Sequence, residues 1–145
     1  MDWLKPSQAT SLQVTSLIGV LLSTTAAVTG AQAQSFGKVG AVNQEATGTP
    51  PGGATRKLSV GSGVLVKERV RTSASGSTQI QFPDQSAINL GANCDMVIDE
   101  FVYDPQAKSG TMVATATNGV LRYIGGNISH NSGATIRTPS ASLGI

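Results

Sequence analysis

Side chains that carry chemistry are scarce in this chain. Among its 145 residues there is one cysteine, Cys94, and one histidine, His130. A lone cysteine excludes an intrachain disulfide and any zinc or iron–sulfur site built on cysteines. A lone histidine excludes histidine-rich metal clusters and leaves little room for a Ser-His-Asp triad. Charged residues make up only 12% and aromatics 4%, both low for a globular chain. The ten Lys and Arg are scattered, densest at Arg56-Lys57 and at Lys67, Arg69 and Arg71, for a net charge of +2. That is no basic stripe, so nucleic acid is not an expected partner.

Glycine is plentiful, at 17 residues, and so are Ser and Thr. This composition suits short strands joined by many turns and disfavours long helices. The first 33 residues stand apart. Lys5 is the lone positive side chain there, offset by Asp2. An apolar stretch follows, strongest from Leu17 to Leu22 and continuing through Ala26-Ala27-Val28. It ends in Gly30-Ala31-Gln32-Ala33, the small residues that signal peptidase requires. The pattern predicts an export signal over 1–33, cleaved before Gln34. A retained membrane anchor is the competing reading, but Ser23, Thr24, Thr25, Thr29 and Gln32 interrupt the apolar run. Export with cleavage leaves no stable membrane span and places residues 34–145 in the periplasm or the medium.

Past residue 34 no window keeps a helical period. Gly37 to Val42 reads as a first strand, and Asn43 to Gly53, with Pro50-Pro51-Gly52-Gly53, reads as a loop. Arg56 to Val60 and Val64 to Thr72 read as strands separated by Gly61-Ser62-Gly63. Thr78 to Phe82 alternates polar and apolar, Pro83-Asp84-Gln85-Ser86 is a tight turn, and Ala87 to Leu90 alternates again. This is the clearest hairpin, and its period places Ile80, Phe82, Ile88 and Leu90 on one buried face. Met96 to Tyr103 and Thr111 to Thr117 extend, and Asn118-Gly119 is a primed-turn pair. Val120 to Ile124 and Thr135 to Thr138 complete nine or ten short strands. The expected fold is all-β, as a sandwich, jelly roll or β-solenoid, with almost no helix.

Six segments in order carry a family resemblance: Gly37–Asn43, Ala54–Gly61, Phe82–Gly91, Val97–Pro105, Gly119–Gly126 and Thr138–Ile145. Together they resemble the FecR domain, a periplasmic β module of bacteria. The string Ile98-Asp-Glu-Phe-Val-Tyr-Asp-Pro105 is especially similar to stand-alone, exported members. The resemblance implies a non-catalytic binding or signalling module of the cell envelope, with another envelope protein as partner. In the best-known members the module relays a signal from an outer-membrane transporter to an anti-sigma segment. That role is not expected here, since no cytoplasmic segment fits ahead of residue 11. A structural or secretion-associated envelope role is the alternative. Two departures stand out. Members usually carry Gly where this chain has Gln85, which implies a changed turn or a strain on the order of 1 kcal/mol. Members also continue into a further strand after Gly144-Ile145, so the resemblance implies either that the sequence is a fragment or that the last strand is lost, which would leave an unpaired strand edge.

Several residues invite a sharper reading. Asp95, Asp99, Glu100 and Asp104 are suitable ligands for a hard cation. But strand alternation sends Asp99 and Glu100 to opposite faces, and no calcium-loop motif surrounds them. A solvated or ion-paired face is expected instead. Asp84 and Ser86 suggest fragments of a hydrolytic site, but their spacing fits an Asp that caps its own turn. Cys94 reads as a small, partly buried side chain at a strand start, with interchain pairing as the alternative. His130 reads as an exposed loop residue. Asn127-Ile128-Ser129 matches the glycosylation sequon, which carries little meaning in a bacterial protein. No catalytic, metal-ligating or cofactor-binding residue is assigned, and the chain is not expected to be an enzyme.

Overall fold

The computed structural model describes residues 34–145; the expected export signal over 1–33 lies outside the described residues. Residues 34–145 form twelve strands and one short helix. The strands are β1 (Ser35–Asn43), β2 (Ala46–Thr49), β3 (Arg56–Lys57), β4 (Gly63–Leu65), β5 (Arg69–Thr72), β6 (Ser77–Gln81) and β7 (Ala87–Leu90). They continue with β8 (Asp95–Asp104), β9 (Ser109–Asn118), β10 (Leu121–Ile124), β11 (Ala134–Arg137) and β12 (Ser142–Gly144). The helix, α1 (Asn127–Asn131), lies between β10 and β11.

The fold is all-β and built from two sheets. One has five strands in the order β10-β7-β6-β1-β4, the other seven in the order β12-β11-β9-β8-β5-β2-β3. Every ladder is antiparallel except β9–β11. Both sheets contribute to one hydrophobic cluster, so the sandwich is the alternative realised.

The β6–β7 hairpin follows the sequence pattern closely. Ile80 pairs with Ile88 and Thr78 with Leu90. Ile80, Phe82, Ile88 and Leu90 are all buried. Facing them from the larger sheet are Val70, Met96, Ile98, Phe101 and Met112. Phe82 stacks on Phe101 with ring centroids 5.2 Å apart, and Phe36 meets the same ring at 5.9 Å. Three of the six aromatics thus gather at one point between the sheets.

Elsewhere the structure departs from the sequence reading. The segment Asn43 to Gly53 is not wholly loop, because Ala46–Thr49 forms β2 and pairs with β5. Its alternation Ala-Thr-Gly-Thr is too short and too small to stand out. The run Val64 to Thr72 is two strands, β4 and β5, in different sheets. Lys67 turns the chain between them with φ 63°. Glu68 anchors that corner. Fully buried, it accepts from Leu65 N at 2.8 Å and from Arg56 Nη2 at 2.8 Å. The same Arg56 nitrogen donates to Gly63 O at 2.6 Å, tying β3 of one sheet to β4 of the other. A buried carboxylate needs such partners. A side chain at Gly48 would run into this carboxylate.

Asn118-Gly119 does not close a hairpin. Gly119 does take positive φ, at 85°, but the chain leaves the seven-stranded sheet there, and β10 pairs with β7 of the other. Cys94 and Asn93 press so closely on Gly119 that a side chain would meet Cys94 Cα and Asn93 O.

Candidate functional site

The densest buried polar group sits where the β6–β7 turn meets α1. Asp84 is fully buried. One carboxylate oxygen accepts from Ser86 N at 3.1 Å and from Ser86 Oγ at 2.5 Å. The other accepts from Ile128 N in the first turn of α1, at 3.3 Å, and Asp84 O accepts from Asn127 N at 2.8 Å. The turn-capping role read from the sequence is therefore present, and a second role was not legible. Asp84 also supplies the partner that Gly126, lacking a side chain, cannot give α1 as its N-cap. Gly126 lies against the turn so closely that any side chain would collide with the Asp84 and Ser86 backbone.

His130 belongs to α1 rather than to a loop, which corrects the sequence reading. A single helical turn is too short to show a period. His130 is nonetheless exposed. Its Nδ1 lies 2.6 Å from Gly126 O, so it donates there, and Ser129 Oγ donates to the same carbonyl at 2.9 Å. Beneath them the Tyr123 hydroxyl is buried without a hydrogen-bond partner, and burial pushes its pKa up. Asp84, Ser86, Tyr123 and Ser129 thus share one corner, and Ser86 Oγ spends its hydrogen on Asp84. Asn127 Nδ2 donates to Tyr103 Oη at 2.8 Å, fixing the helix to β8. Asp84 thus holds α1 to the β6–β7 turn, and Tyr103 holds it to β8.

The acidic group on β8 is split. Asp95 takes a two-pronged contact from Arg69, at 2.7 and 2.6 Å, and a third from Arg71 at 3.0 Å. The Arg69 hydrogen bond is the main reason its pKa lies below the ordinary carboxylate value; partial burial opposes it. Asp99 accepts from Thr115 Oγ1 at 2.6 Å. The register slips between Ile98 and Glu100. Ile98 and Phe101 are both buried, so Asp99 and Glu100 lie side by side on the outer face. The expected split across two faces fails because the bulge adds a residue to one strand. Asp104 caps its own turn through Gln106 N and Ala107 N. Among the described residues no three potential metal-ligating side chains converge.

Cys94 is 1% exposed and free, just ahead of β8. Its N–H donates to Thr72 Oγ1 at 2.8 Å, and that hydroxyl donates to Gly91 O at 2.6 Å. Burial pushes the thiol pKa up. A thiol so enclosed is not placed to pair with another chain.

Two of the exposed apolar groups, Leu143 and Ile145, lie at the β12 margin. β12 pairs only with β11 among the described residues. Leu143 pairs with Ile136 and so shares its inward face. Ile136 is 5% exposed, Leu143 54% and Ile145 43%. Ile145 exchanges both backbone bonds with Ala134, extending the same stripe. Two open grooves occur elsewhere. One, of about 530 Å³, runs past Phe36, Lys38, Gly61, Gly63 and Phe82. The other, of about 440 Å³, lies among Phe36, Pro50, Pro51, Leu65 and Val66. Neither is lined by a carboxylate, a histidine or a cysteine. No helix among the described residues is long and apolar enough to cross a membrane. Compared with protein-family models, curated proteins and solved structures, the chain matches none.

Proposed function

We propose that this chain is a non-catalytic, FecR-like module of the bacterial envelope, exported to the periplasm or the medium, that works by strand-edge contact with another envelope protein. The observation that carries the reading is the β12 margin. Leu143 and Ile145 face inward yet stand open to solvent, beside a row of backbone donors and acceptors with no partner strand among the described residues. Such an edge templates an added strand. The other margins are less inviting. β3 is two residues long and consists of Arg56-Lys57, β10 carries the charge of Arg122, and β4, three residues long like β12, has no exposed large apolar side chain. Short or charged edges resist pairing.

The non-catalytic part of the reading rests on how the polar groups are used. Asp84, Ser86, Glu68 and Asp95 each hold a turn, a corner or a ladder. A photo-crosslinking residue in place of Leu143, expressed in the native host, tests the edge. The expected result is a defined adduct with an envelope protein that disappears when Ser142 is also changed to Pro. The same crosslinker at Ala74, an exposed turn, should give no such adduct. Equal adducts at both positions would contradict edge recognition.

A further inference from the structure

The outer face of the five-stranded sheet carries few charges, all of one sign. Its strands carry two charged residues, Lys38 on β1 and Arg122 on β10, and no carboxylate. Four of the seven carboxylates of residues 34–145 lie on β8, in the other sheet. The cations are exposed, and neither makes an ion pair among the described residues. Between them lie carboxamides. The register aligns Ala41, Gln79, Asn89 and Arg122 in one row, and Lys38, Gln81, Ala87 and Ile124 in the next. The two rows cross four strands, about 14 Å at ordinary strand spacing.

The floor is flat for a reason visible in the backbone. A register shift between Val39 and Ala41 places Gly40 beneath the amides. A side chain at Gly40 would come within 2.7 Å of Gln81 Cδ and 3.1 Å of Gln79 Oε1. With glycine there, Gln81 Nε2 lies down and donates to Gln79 Oε1 at 3.2 Å. A shallow depression of about 230 Å³ opens beside Ala41, Gln79 and Asn89.

We propose that this face binds an acidic polysaccharide, a chain of sugars bearing carboxylates. Each carboxamide offers both donors and an acceptor, which matches sugar hydroxyls that donate and accept at neighbouring positions. Lys38 and Arg122 complement sugar carboxylates, with no acidic residue on these strands to repel them. Ala41 and Ile124, both exposed, give the apolar faces of the sugar rings a footing. The middle of the face has no aromatic or bulky apolar side chain of the kind that anchors a protein partner. This surface is separate from the β12 margin, and its ligand is a different class of molecule.

Affinity electrophoresis of the purified protein at low ionic strength tests the proposal, using gels that contain polygalacturonate, polyglutamate of matched charge, or neutral dextran. The expected result is retardation by polygalacturonate, with affinity at least about tenfold above that for either other polymer. The K38Q/R122Q variant should lose about tenfold or more, and N89A several-fold. Arg137→Gln removes an exposed cation of the other sheet and should change nothing. Melting temperatures of the variants, expected unchanged, separate lost binding from lost folding. Equal binding to polyglutamate would reduce the face to general charge attraction and overturn the proposal. So would an equal loss in Arg137→Gln, or no retardation by polygalacturonate.

Discussion

Gln85 holds φ at 71°, a conformation that costs a residue with a side chain on the order of 1 kcal/mol relative to glycine. The strain expected for a glutamine at positive φ is present in this turn. Its neighbours explain why. Phe82 N and O close the turn on Ser86 O and Gln85 N, and Asp84 ties it to α1. Gln85→Gly should therefore raise stability by about 0.5–1 kcal/mol, read as a shifted denaturant midpoint with unchanged slope. A loss would mean the side chain has a role of its own. Asp95 gives a pH signature. Its folded pKa lies below the ordinary value, so its contribution is complete above about pH 4 and is lost as the pH falls through the lower folded value. Asp95→Asn should cost stability at about pH 6, and the gap from the unmodified protein should close toward about pH 2. The gap stays modest because Arg69 and Arg71 are about half exposed. A gap independent of pH would show that Asp95 acts through packing and not through charge. At this scale the sequence was partly legible. The Asp84 turn could be read because its partner Ser86 lies two residues away. The link to Ile128 could not, because its partner lies 44 residues away.

Elements were legible where alternation ran unbroken. β6, β7, β8 and β9 emerge from the pattern with ends shifted by no more than two residues. β2 was hidden by its small residues, and the β4–β5 boundary by a continuous run from Val64 to Thr72 that the Lys67 turn interrupts. Helix α1 exists because Asp84 and Gly126 provide a seat for Ile128, which is fully buried. Two substitutions test these elements. Phe82→Ala removes a ring that is 5% exposed and stacked on Phe101, and should cost about 3–5 kcal/mol in chemical denaturation. A cost under about 1 kcal/mol would mean that Phe82 does not join the two sheets. Gly126→Ala would press a methyl onto the Asp84–Ser86 backbone, which cannot yield as a flexible side chain can. It should cost about 1–3 kcal/mol, with faster amide exchange confined first to residues 126–133. Uniformly faster exchange would show that α1 does not open as a separate unit.

Across the whole molecule, the all-β character could be read, but nine or ten strands were expected where residues 34–145 hold twelve, and their order could not be read. β9 and β10 are joined by Asn118-Gly119, a dipeptide typical of hairpins, yet they belong to different sheets. β11 returns parallel to β9, with α1 in the intervening stretch. Both outcomes follow from which faces must be covered, and a linear pattern does not state that. The surface repeats the lesson. Lys38 and Arg122 lie 84 residues apart in sequence and come onto one face, at its opposite sides, only through the β1-β6-β7-β10 order. The proposed export puts this β module to work outside the cytoplasm. N-terminal sequencing of the protein recovered from fractionated cells of its native host tests it most directly. The expected result is a chain beginning at Gln34 in the periplasm or the culture medium. A chain still beginning at Met1, found in the cytoplasm, would contradict it.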